Sequence, residues 1–233
     1  MIGKFNIAKE KIAKDISELW NTLDDKQHSL LMKKLEVKRY KKNEMVYHCD
    51  EAPTHIWCLV HGKVKVYKDG IVGKNQIIRA IKPIEFFGFR AYFAGEVYKT
   101  SAMALENSVI ASLPLDTLLE MMKTNFNISY YFIRYLSVTV GDSDDRTVSL
   151  TQKHIRGRLA ESLLYLKDSY GLEEDGQTLD ICLSREDMAN LSSMTTSNAI
   201  RTLSAFAAEG LIATDGKKIK LLDVEAISRE SEN

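Results

Sequence analysis

The stretch SSMTTSNAIRTL, residues 192–203, concentrates the side chains whose chemistry is most specific in this sequence. Ser, Thr and Asn compete with the backbone for hydrogen bonds, so they are unfavourable inside a helix and favoured at its first turn. Thr195 is therefore predicted as the N-cap of a helix that presents Ser197 and Asn198, with Arg201 one turn further on. Arg can bind guanine through two parallel hydrogen bonds, Asn can pair with adenine, and hydroxyls bond bases or phosphates. These residues predict a helix end that contacts DNA bases.

The residues just upstream predict the element that would hold this helix. Ser184-Arg-Glu-Asp187 is typical of a helix start, with a Ser N-cap and an acid at the third position. Two short helices joined by a tight turn form a helix-turn-helix, whose second helix enters the major groove. A helical wheel places these residues on its buried face: Ala199, Ile200, Leu203, Phe206 and Ala207.

The segment LIATDGKKIKLL, which follows Gly210, predicts a β-hairpin. Asp215-Gly216 between two alternating runs is typical of a type I′ turn. The hairpin would be the wing of a winged helix, with its lysines near phosphates. Two alternatives stay open: lysines that only protect a strand edge, and a helix-turn-helix that binds protein. The predicted DNA-binding residues are Arg185, Thr195, Thr196, Ser197, Asn198, Arg201, Lys217 and Lys218.

The composition limits what else the chain can do. Its 233 residues contain 32 Lys and Arg and 32 Asp and Glu, so DNA binding must come from a local basic patch. Three cysteines without a C-x-x-C pair, and no secretory signal, predict reduced thiols in the cytoplasm. No apolar run reaches the roughly 18 residues of a membrane span. No catalytic motif is present, so we do not expect an enzyme.

The rest of the chain predicts an α+β protein with three parts. Residues 7–36 have helical periodicity, and short alternating runs from Val37 onward, with turns at His61-Gly62 and Asp69-Gly70, predict an antiparallel jelly roll. A short helix starts at Pro114, and a long one covers 126–152. The predicted domains are a sensor barrel with helical flanks (1–125), a dimerisation helix (126–152) and a winged helix-turn-helix domain (153–233).

The long helix carries a heptad pattern along one face. Its members are Ile133, Leu136, Val140, Ser143, Thr147 and Leu150. Such a seam is typical of parallel pairing, so we expect a homodimer. The alternative is an ordinary long surface helix.

The order of barrel, long helix and winged helix resembles the CRP/FNR family of dimeric bacterial transcription regulators. The similar segments are GRLAESLLYL, SREDMANLSSMTTSNAIRTLSAFAAEGLI with its DG wing, and FFGFRAYFAGEVYKTSA, which is similar to the family's phosphate-binding cassette. The resemblance implies an effector in the barrel, double-stranded DNA with a palindromic operator, and RNA polymerase as a partner. The effector-pocket residues that it implies are Gly88, Phe89, Arg90, Thr100, Ser101, Ser143 and Thr147.

Departures from the family pattern change these expectations. Members that respond to cyclic AMP hold the ribose with a Glu and the phosphate with an Arg, where this chain has Phe89 and Thr100. We therefore do not expect cyclic AMP as the effector, although Arg90 or the backbone could bind an anion. In the recognition helix the family's Arg-Glu pair is replaced by Thr196 and Ser197, and only Arg201 remains. The expected operator differs accordingly.

Two alternatives to an effector-controlled DNA regulator stay open. Three histidines and two cysteines fall within fourteen residues: His48, Cys49, His55, Cys58 and His61. Imidazole and thiolate can ligate haem, so a haem-dependent gas or redox sensor on the same scaffold is one alternative. The spacing matches no recurring metal pattern and the cysteines do not supply an iron–sulfur set, so no metal site is predicted. The other alternative is a cyclic-nucleotide-binding module with no DNA role.

Overall fold

The structure is a computed structural model that describes residues 8–21, 23–70 and 75–232. The helices in these ranges are α1 Lys9–Leu19, α2 Asp25–Lys34, α3 Arg90–Phe93, α4 Leu115–Thr124, α5 Phe126–Gln152, α6 Ile155–Tyr170, α7 Arg185–Leu191, α8 Thr196–Ala208 and α9 Val224–Ser231. The strands are β1 Glu36–Tyr40, β2 Met45–Tyr47, β3 His55–His61, β4 Val64–Asp69, β5 Asn75–Ile81, β6 Glu85–Phe87, β7 Ser101–Ala104, β8 Ser108–Pro114, β9 Ile212–Asp215 and β10 Lys218–Leu221.

The described residues divide into two compact units. The first lies within Met1–Val66 and Ile81–Val140, and the second within Tyr67–Ala80 and Gly141–Asn233. We call them the sensor unit and the DNA-binding unit. No helix among the described residues is both long and apolar enough to cross a membrane.

The chain forms two four-stranded sheets, in the orders β1-β8-β3-β6 and β2-β7-β4-β5. All their strands lie in the sensor unit except the end of β4 and nearly all of β5, which are grouped with the DNA-binding unit. One apolar cluster contains residues from both sheets, including Leu59, Phe87 and Ala102. A second cluster joins the first sheet to α1, α2, α4 and α5. Strand β3 contributes to both, since Cys58 belongs to the helical side and Leu59 to the side shared by the sheets. Burial of both faces explains why its sequence, HIWCLVH, is apolar almost throughout. The predicted α+β fold with a β domain is confirmed.

The helical run predicted at 7–36 consists of two helices, α1 and α2. Asp24 ends the connection and caps α2, because its side chain accepts from the backbone N–H of Gln27 at 2.8 Å while the Gln27 side chain accepts from that of Asp24. This reciprocal capping box gives α2 its own start. The long helix α5, by contrast, has the predicted bounds, Phe126–Gln152.

In the DNA-binding unit, α6 packs against α8 and α9 around a buried apolar face. Arg156 of α6 ties the three helices together. Its guanidinium donates two hydrogen bonds to Glu209, at 2.9 and 2.7 Å, and one to Glu230 at 3.1 Å. It also lies 4.8 Å from the ring centroid of Phe206. The hydrogen bonds that Arg156 donates to Glu209, and then to Glu230, raise the pKa of Arg156, so the guanidinium remains charged.

Part of the β4–β5 hairpin clusters with these helices. Arg146 of α5 donates to the carbonyls of Ile77 and Ile78, each at 2.8 Å, and to that of Leu191 at 3.0 Å. Tyr165 of α6 exchanges two hydrogen bonds with the backbone of Ala80. One half-buried guanidinium therefore satisfies backbone acceptors on strand β5 and at the end of α7.

Candidate DNA-binding surface and effector cassette

Helix α8 begins as the sequence predicted. Thr195 has extended backbone angles (φ −75°, ψ 152°), and its hydroxyl accepts from the backbone N–H of Asn198 at 3.2 Å. The cap satisfies one of the free N–H groups of the first turn. The buried face of α8 consists of Ala199, Thr202, Leu203 and Phe206.

The predicted base-contacting residues share the accessible end of this helix. Thr195, Thr196, Ser197 and Arg201 are exposed, and Asn198 is half-buried. Arg201 Nη2 donates to Asn198 Oδ1 at 2.8 Å, so the two longer polar side chains are joined. The structure therefore brings together hydroxyls, an amide and a guanidinium on one surface, which we call the recognition surface.

Ile200 also lies on this surface, and its predicted place in the core is wrong. Its side chain is 48% exposed, whereas its neighbour Ala199 is fully buried. Both its place on the helical wheel and its hydrophobicity had predicted burial. An exposed aliphatic side chain beside Arg201 is suited to contact a thymine methyl group.

Arg185 lies at the start of α7 and contacts the wing. Ser184 caps α7 by accepting from the backbone N–H of Asp187 at 2.9 Å, as predicted. Arg185 Nη2 donates to the carbonyl of Gly216 at 3.0 Å. Its Nη1 is buried and has no hydrogen-bond partner within the described ranges. Arg185 thus holds the wing against the helix-turn-helix and leaves one donor unused.

The wing turn differs in type from the prediction. Asp215 pairs with Lys218, so the two central residues of the turn are Gly216 and Lys217. Gly216 has a φ of 56°, and Lys217 is not among the described residues with positive φ. A type I′ turn requires positive φ at both central positions, so the predicted turn type is wrong. This register places exposed Lys217 at the tip of the wing.

Lys218 is engaged within the protein. Its ammonium lies 2.8 Å from Glu173 Oε2, and this hydrogen bond raises the pKa of Lys218. The pair is partly solvent-exposed, so it contributes little to stability. Of the two predicted phosphate-binding lysines, Lys217 is the one at the tip.

The turn between α7 and α8 contains a feature that the sequence analysis missed. Ser193 has a φ of 53°, a left-handed conformation that is unfavourable for a residue with a Cβ. Arg158 of α6 donates to the Ser193 carbonyl at 3.0 Å, and Ser192 donates to the hydroxyl of Ser162 at 2.9 Å. Through these two contacts α6 holds the turn in place, and neither contact corresponds to a recognisable sequence pattern.

The cassette of the sensor unit begins at Gly88, whose lack of a side chain is required. Its φ is 81°, and a Cβ at this position would lie 2.5 Å from Cδ1 of Trp57. The indole of Trp57 therefore packs directly on the cassette backbone. Next to it, Tyr47 and Tyr98 stack with ring centroids 4.0 Å apart. Burial is the main cause of the raised pKa of Tyr98.

Phe89 packs on the helical side of the first sheet. Its ring centroid lies 4.9 Å from that of Phe132 and 5.4 Å from that of Tyr135, both on α5. The side chain is only 2% exposed. Where cyclic-AMP-binding relatives have an acid for the ribose, this chain has an aromatic ring that belongs to its own core.

The polar residues predicted for the effector pocket have partners nearby. Arg90 Nη2 lies 3.2 Å from Glu96 Oε2, and both side chains are substantially exposed. Ser101 is buried, and its hydroxyl accepts from the backbone N–H of Cys49 at 3.0 Å. Thr100 is half-buried. The cassette thus combines aromatic packing with a cation that is paired to an acid on the same loop.

Ser143 and Thr147 lie on the part of α5 that belongs to the DNA-binding unit. Both are exposed, and the Thr147 hydroxyl donates to the Ser143 carbonyl at 2.9 Å. Other exposed apolar residues of α5 are Phe126, Tyr130, Ile133, Val138, Val140, Val148 and Leu150. Leu136 of the predicted seam instead packs half-buried against the sensor core. Phe126 and Tyr130, which the heptad pattern omitted, extend the apolar face toward the start of the helix.

The histidines and cysteines at 48–61 do not form a cluster. Across the described ranges, no group of three or more His, Cys, Asp or Glu side chains is arranged to hold a metal ion. Cys58 lies in the apolar core, where burial raises its pKa to about 12. A thiol in this environment stays protonated at neutral pH and is a poor metal ligand.

Comparisons with known proteins agree with this architecture. Residues 37–125 match the family described as cyclic nucleotide-binding domain, and residues 157–230 match the Crp-like helix-turn-helix domain. The chain is 24% identical over 204 residues to a CRP-like cAMP-activated global transcriptional regulator of Mycobacterium tuberculosis, covering 86% of this chain and 90% of that protein. It is 26% identical to the transcriptional regulator LdrP of Thermus thermophilus, with 84% and 96% coverage. The structure of FixK2 from Bradyrhizobium japonicum superposes with a TM-score of 0.76 at 20% identity, covering 84% of this chain and 96% of that one.

Proposed function

Because the chain belongs to the CRP/FNR family of transcriptional regulators and carries that family's helix-turn-helix domain, we propose that it binds a palindromic operator as a homodimer. The observation that carries this proposal is the recognition surface. Its capped helix end exposes hydroxyls and one guanidinium, the groups that read base edges in the major groove. RNA polymerase is the further partner that we propose from the family.

The apolar face of α5 supports the homodimer. Residues such as Phe126, Tyr130 and Val140 are more than half exposed in the single chain. A row of large apolar side chains along a 27-residue helix is typical of a surface that pairs with a second copy. Two copies would set two recognition helices about one DNA turn apart, roughly 34 Å.

We propose that the effector is not cyclic AMP. A buried cyclic phosphate needs a cation or several N–H donors, yet Arg90 is paired with Glu96 and Thr100 carries no charge. Phe89 offers no acceptor for a ribose hydroxyl. Calorimetry with millimolar cyclic AMP and cyclic GMP should give no binding heat, and a saturable signal would contradict this part of the proposal. No contact among the residues that the structure describes favours haem.

DNA binding can be tested by selecting sequences from a randomised duplex library with the full-length protein. We expect a palindromic motif with two half-sites, and the symmetry itself tests the homodimer. Arg201→Ala should lose the preference for guanine at one position of each half-site, by roughly tenfold or more, because a bidentate contact is removed.

Lys217→Ala is the matched control on the same domain. It should weaken binding to all sequences about equally and lower the salt dependence by about one phosphate contact, because phosphates carry no sequence information. A protein that selects no motif, or an Arg201→Ala variant with unchanged preference, would contradict the proposal.

A further inference from the structure

Two side chains of the recognition surface are joined before any DNA is present. Arg201 Nη2 donates to Asn198 Oδ1 at 2.8 Å, across one helical turn. Positions three apart lie on the same side of a helix, so this contact needs no distortion. Asn198 is itself held, because its backbone N–H donates to the Thr195 cap. Hydrogen bonds therefore connect Thr195 to Asn198 and Asn198 to Arg201 along the helix.

The bond restricts what Asn198 can do with a base. An Asn that recognises adenine uses its carbonyl oxygen as an acceptor and its amide nitrogen as a donor together. Here the carbonyl oxygen already accepts from Arg201, at 2.8 Å. Bidentate pairing of Asn198 with adenine would have to share this oxygen between Arg201 and adenine N6, so the two contacts would compete for one acceptor.

Arg201 keeps its own capacity to read a base. A guanidinium has five N–H donors, and the bond to Asn198 occupies one of them. Two parallel donors are enough for the O6 and N7 atoms of guanine. The bond also limits the conformations of a long exposed side chain, which reduces the entropy that the side chain would lose on binding.

We propose that Asn198 is a positioning residue that orients Arg201 toward guanine and does not read adenine itself. This inference rests on the proposed DNA-binding function, and it identifies Asn198 as a residue that influences base specificity through Arg201. It also identifies a role that residue types alone did not suggest, since Asn and Arg on one helix face would ordinarily be assigned to two separate bases.

The test compares the wild type with Asn198→Ala and Asn198→Asp in the same library selection, together with Arg201→Ala. Asn198→Ala should weaken the guanine preference at the same base pair that Arg201→Ala affects, by about threefold to tenfold, the factor expected from releasing one long side chain. Asn198→Asp keeps the acceptor for Arg201 and should retain the guanine preference, although its added charge lowers affinity for all sequences. Ratios between bases, rather than affinities, are therefore compared.

Each outcome decides between distinct roles. Loss of preference at a different base pair in Asn198→Ala, with the same loss in Asn198→Asp, would identify Asn198 as a base reader and overturn the proposal. An unchanged guanine preference in Asn198→Ala would also overturn it. A wild type that selects no motif would remove the DNA-binding function itself. Ser204→Ala, at an exposed position of α8 outside the recognition surface, is the control for altering this helix, and it should leave the guanine position unchanged.

Discussion

The cassette of the sensor unit and the recognition surface of the DNA-binding unit use their polar side chains in opposite ways. In the cassette, Ser101 bonds the barrel backbone and Arg90 is paired with Glu96. On the recognition surface, Thr196 and Ser197 face solvent, and the bond between Asn198 and Arg201 leaves most guanidinium donors available. The polar side chains of the cassette thus bind groups of the sensor unit itself, whereas those of the recognition surface are accessible to solvent.

This difference separates the two activities that the family combines. The helix-turn-helix has its helix caps, its buried face and an exposed Arg201, which is the arrangement that the proposed DNA binding requires. The cassette has a left-handed φ at Gly88, and the ring that follows it, Phe89, packs with α5 instead of offering a polar group to a ligand. Similarity of fold therefore does not identify the effector of this chain.

The largest effect is expected for Phe89→Glu, which introduces an acid at the position where the family's cyclic-AMP-responsive members have one. The substitution places a carboxyl among aromatic rings and removes their packing, so we expect it to destabilise the sensor unit by about 3–5 kcal/mol without creating a cyclic AMP site. Both tryptophans of the chain, Trp20 and Trp57, lie in the sensor unit. Denaturant unfolding followed by tryptophan fluorescence therefore reports on the sensor unit.

Phe93→Glu is the control, because Phe93 lies four residues away and is 39% exposed. It should be tolerated with a much smaller loss. If Phe89→Glu folded normally and bound cyclic AMP, the cassette would be an intact nucleotide site that lacks one side chain, and the contrast with the recognition surface would disappear.

Alkaline pH should weaken the sensor unit through its buried thiol. Burial raises the pKa of Cys58 from 9.0 to about 12, with smaller contributions from Asp15 and Glu85. A pKa raised in the folded state gives stability that is complete below about pH 9 and is lost as the pH rises toward 12. Between these two pH values, this group lowers the free energy of unfolding by about 1.4 kcal/mol per pH unit.

Tryptophan fluorescence during urea unfolding between pH 8 and 11 measures this loss. Cys58→Val removes the titrating group and should flatten the profile, while the similarly shifted Tyr131 still contributes. Exposed Cys182 provides an internal comparison, since it should react with a thiol reagent at pH 8 in the folded protein. Equally rapid reaction of Cys58 would show that the core is not closed around it.

The smallest effect sharpens the description of the recognition surface. Ser193 adopts a left-handed φ of 53° between α7 and α8, and its hydroxyl is buried with no hydrogen-bond partner within the described ranges. Ser193→Gly removes the unfavourable Cβ and should stabilise the turn by about 1 kcal/mol. Hydrogen exchange of the backbone amides in α7 and α8 should then be about fivefold slower.

Its neighbour Ser192 is the matched control, with a φ of −88° and a hydroxyl bonded to Ser162. Ser192→Gly should instead speed exchange. If Ser193→Gly also sped exchange, the turn would depend on the Ser193 side chain in a way that its conformation does not explain.

Local signals in the sequence were sufficient for much of the fold. The bounds of α5, the caps at Ser184 and Thr195, and the hairpin after Gly210 follow from residue periodicity and capping chemistry. Such signals act over a few residues, so they are visible in one chain. The prediction failed for Ile200, because its burial depended on which distant segments cover α8.

The sequence by itself determined that the chain has a helix-turn-helix with Arg201 on its exposed end, and that the usual charged residues of the cassette are absent. Only the tertiary structure decided that Phe89 packs with α5, that Arg146 binds carbonyls from two elements, and that Lys218 is paired with Glu173. The physical reason is that a residue's type sets what it can bind, whereas the partner that it binds depends on which distant segments the folded chain brings within a few ångströms.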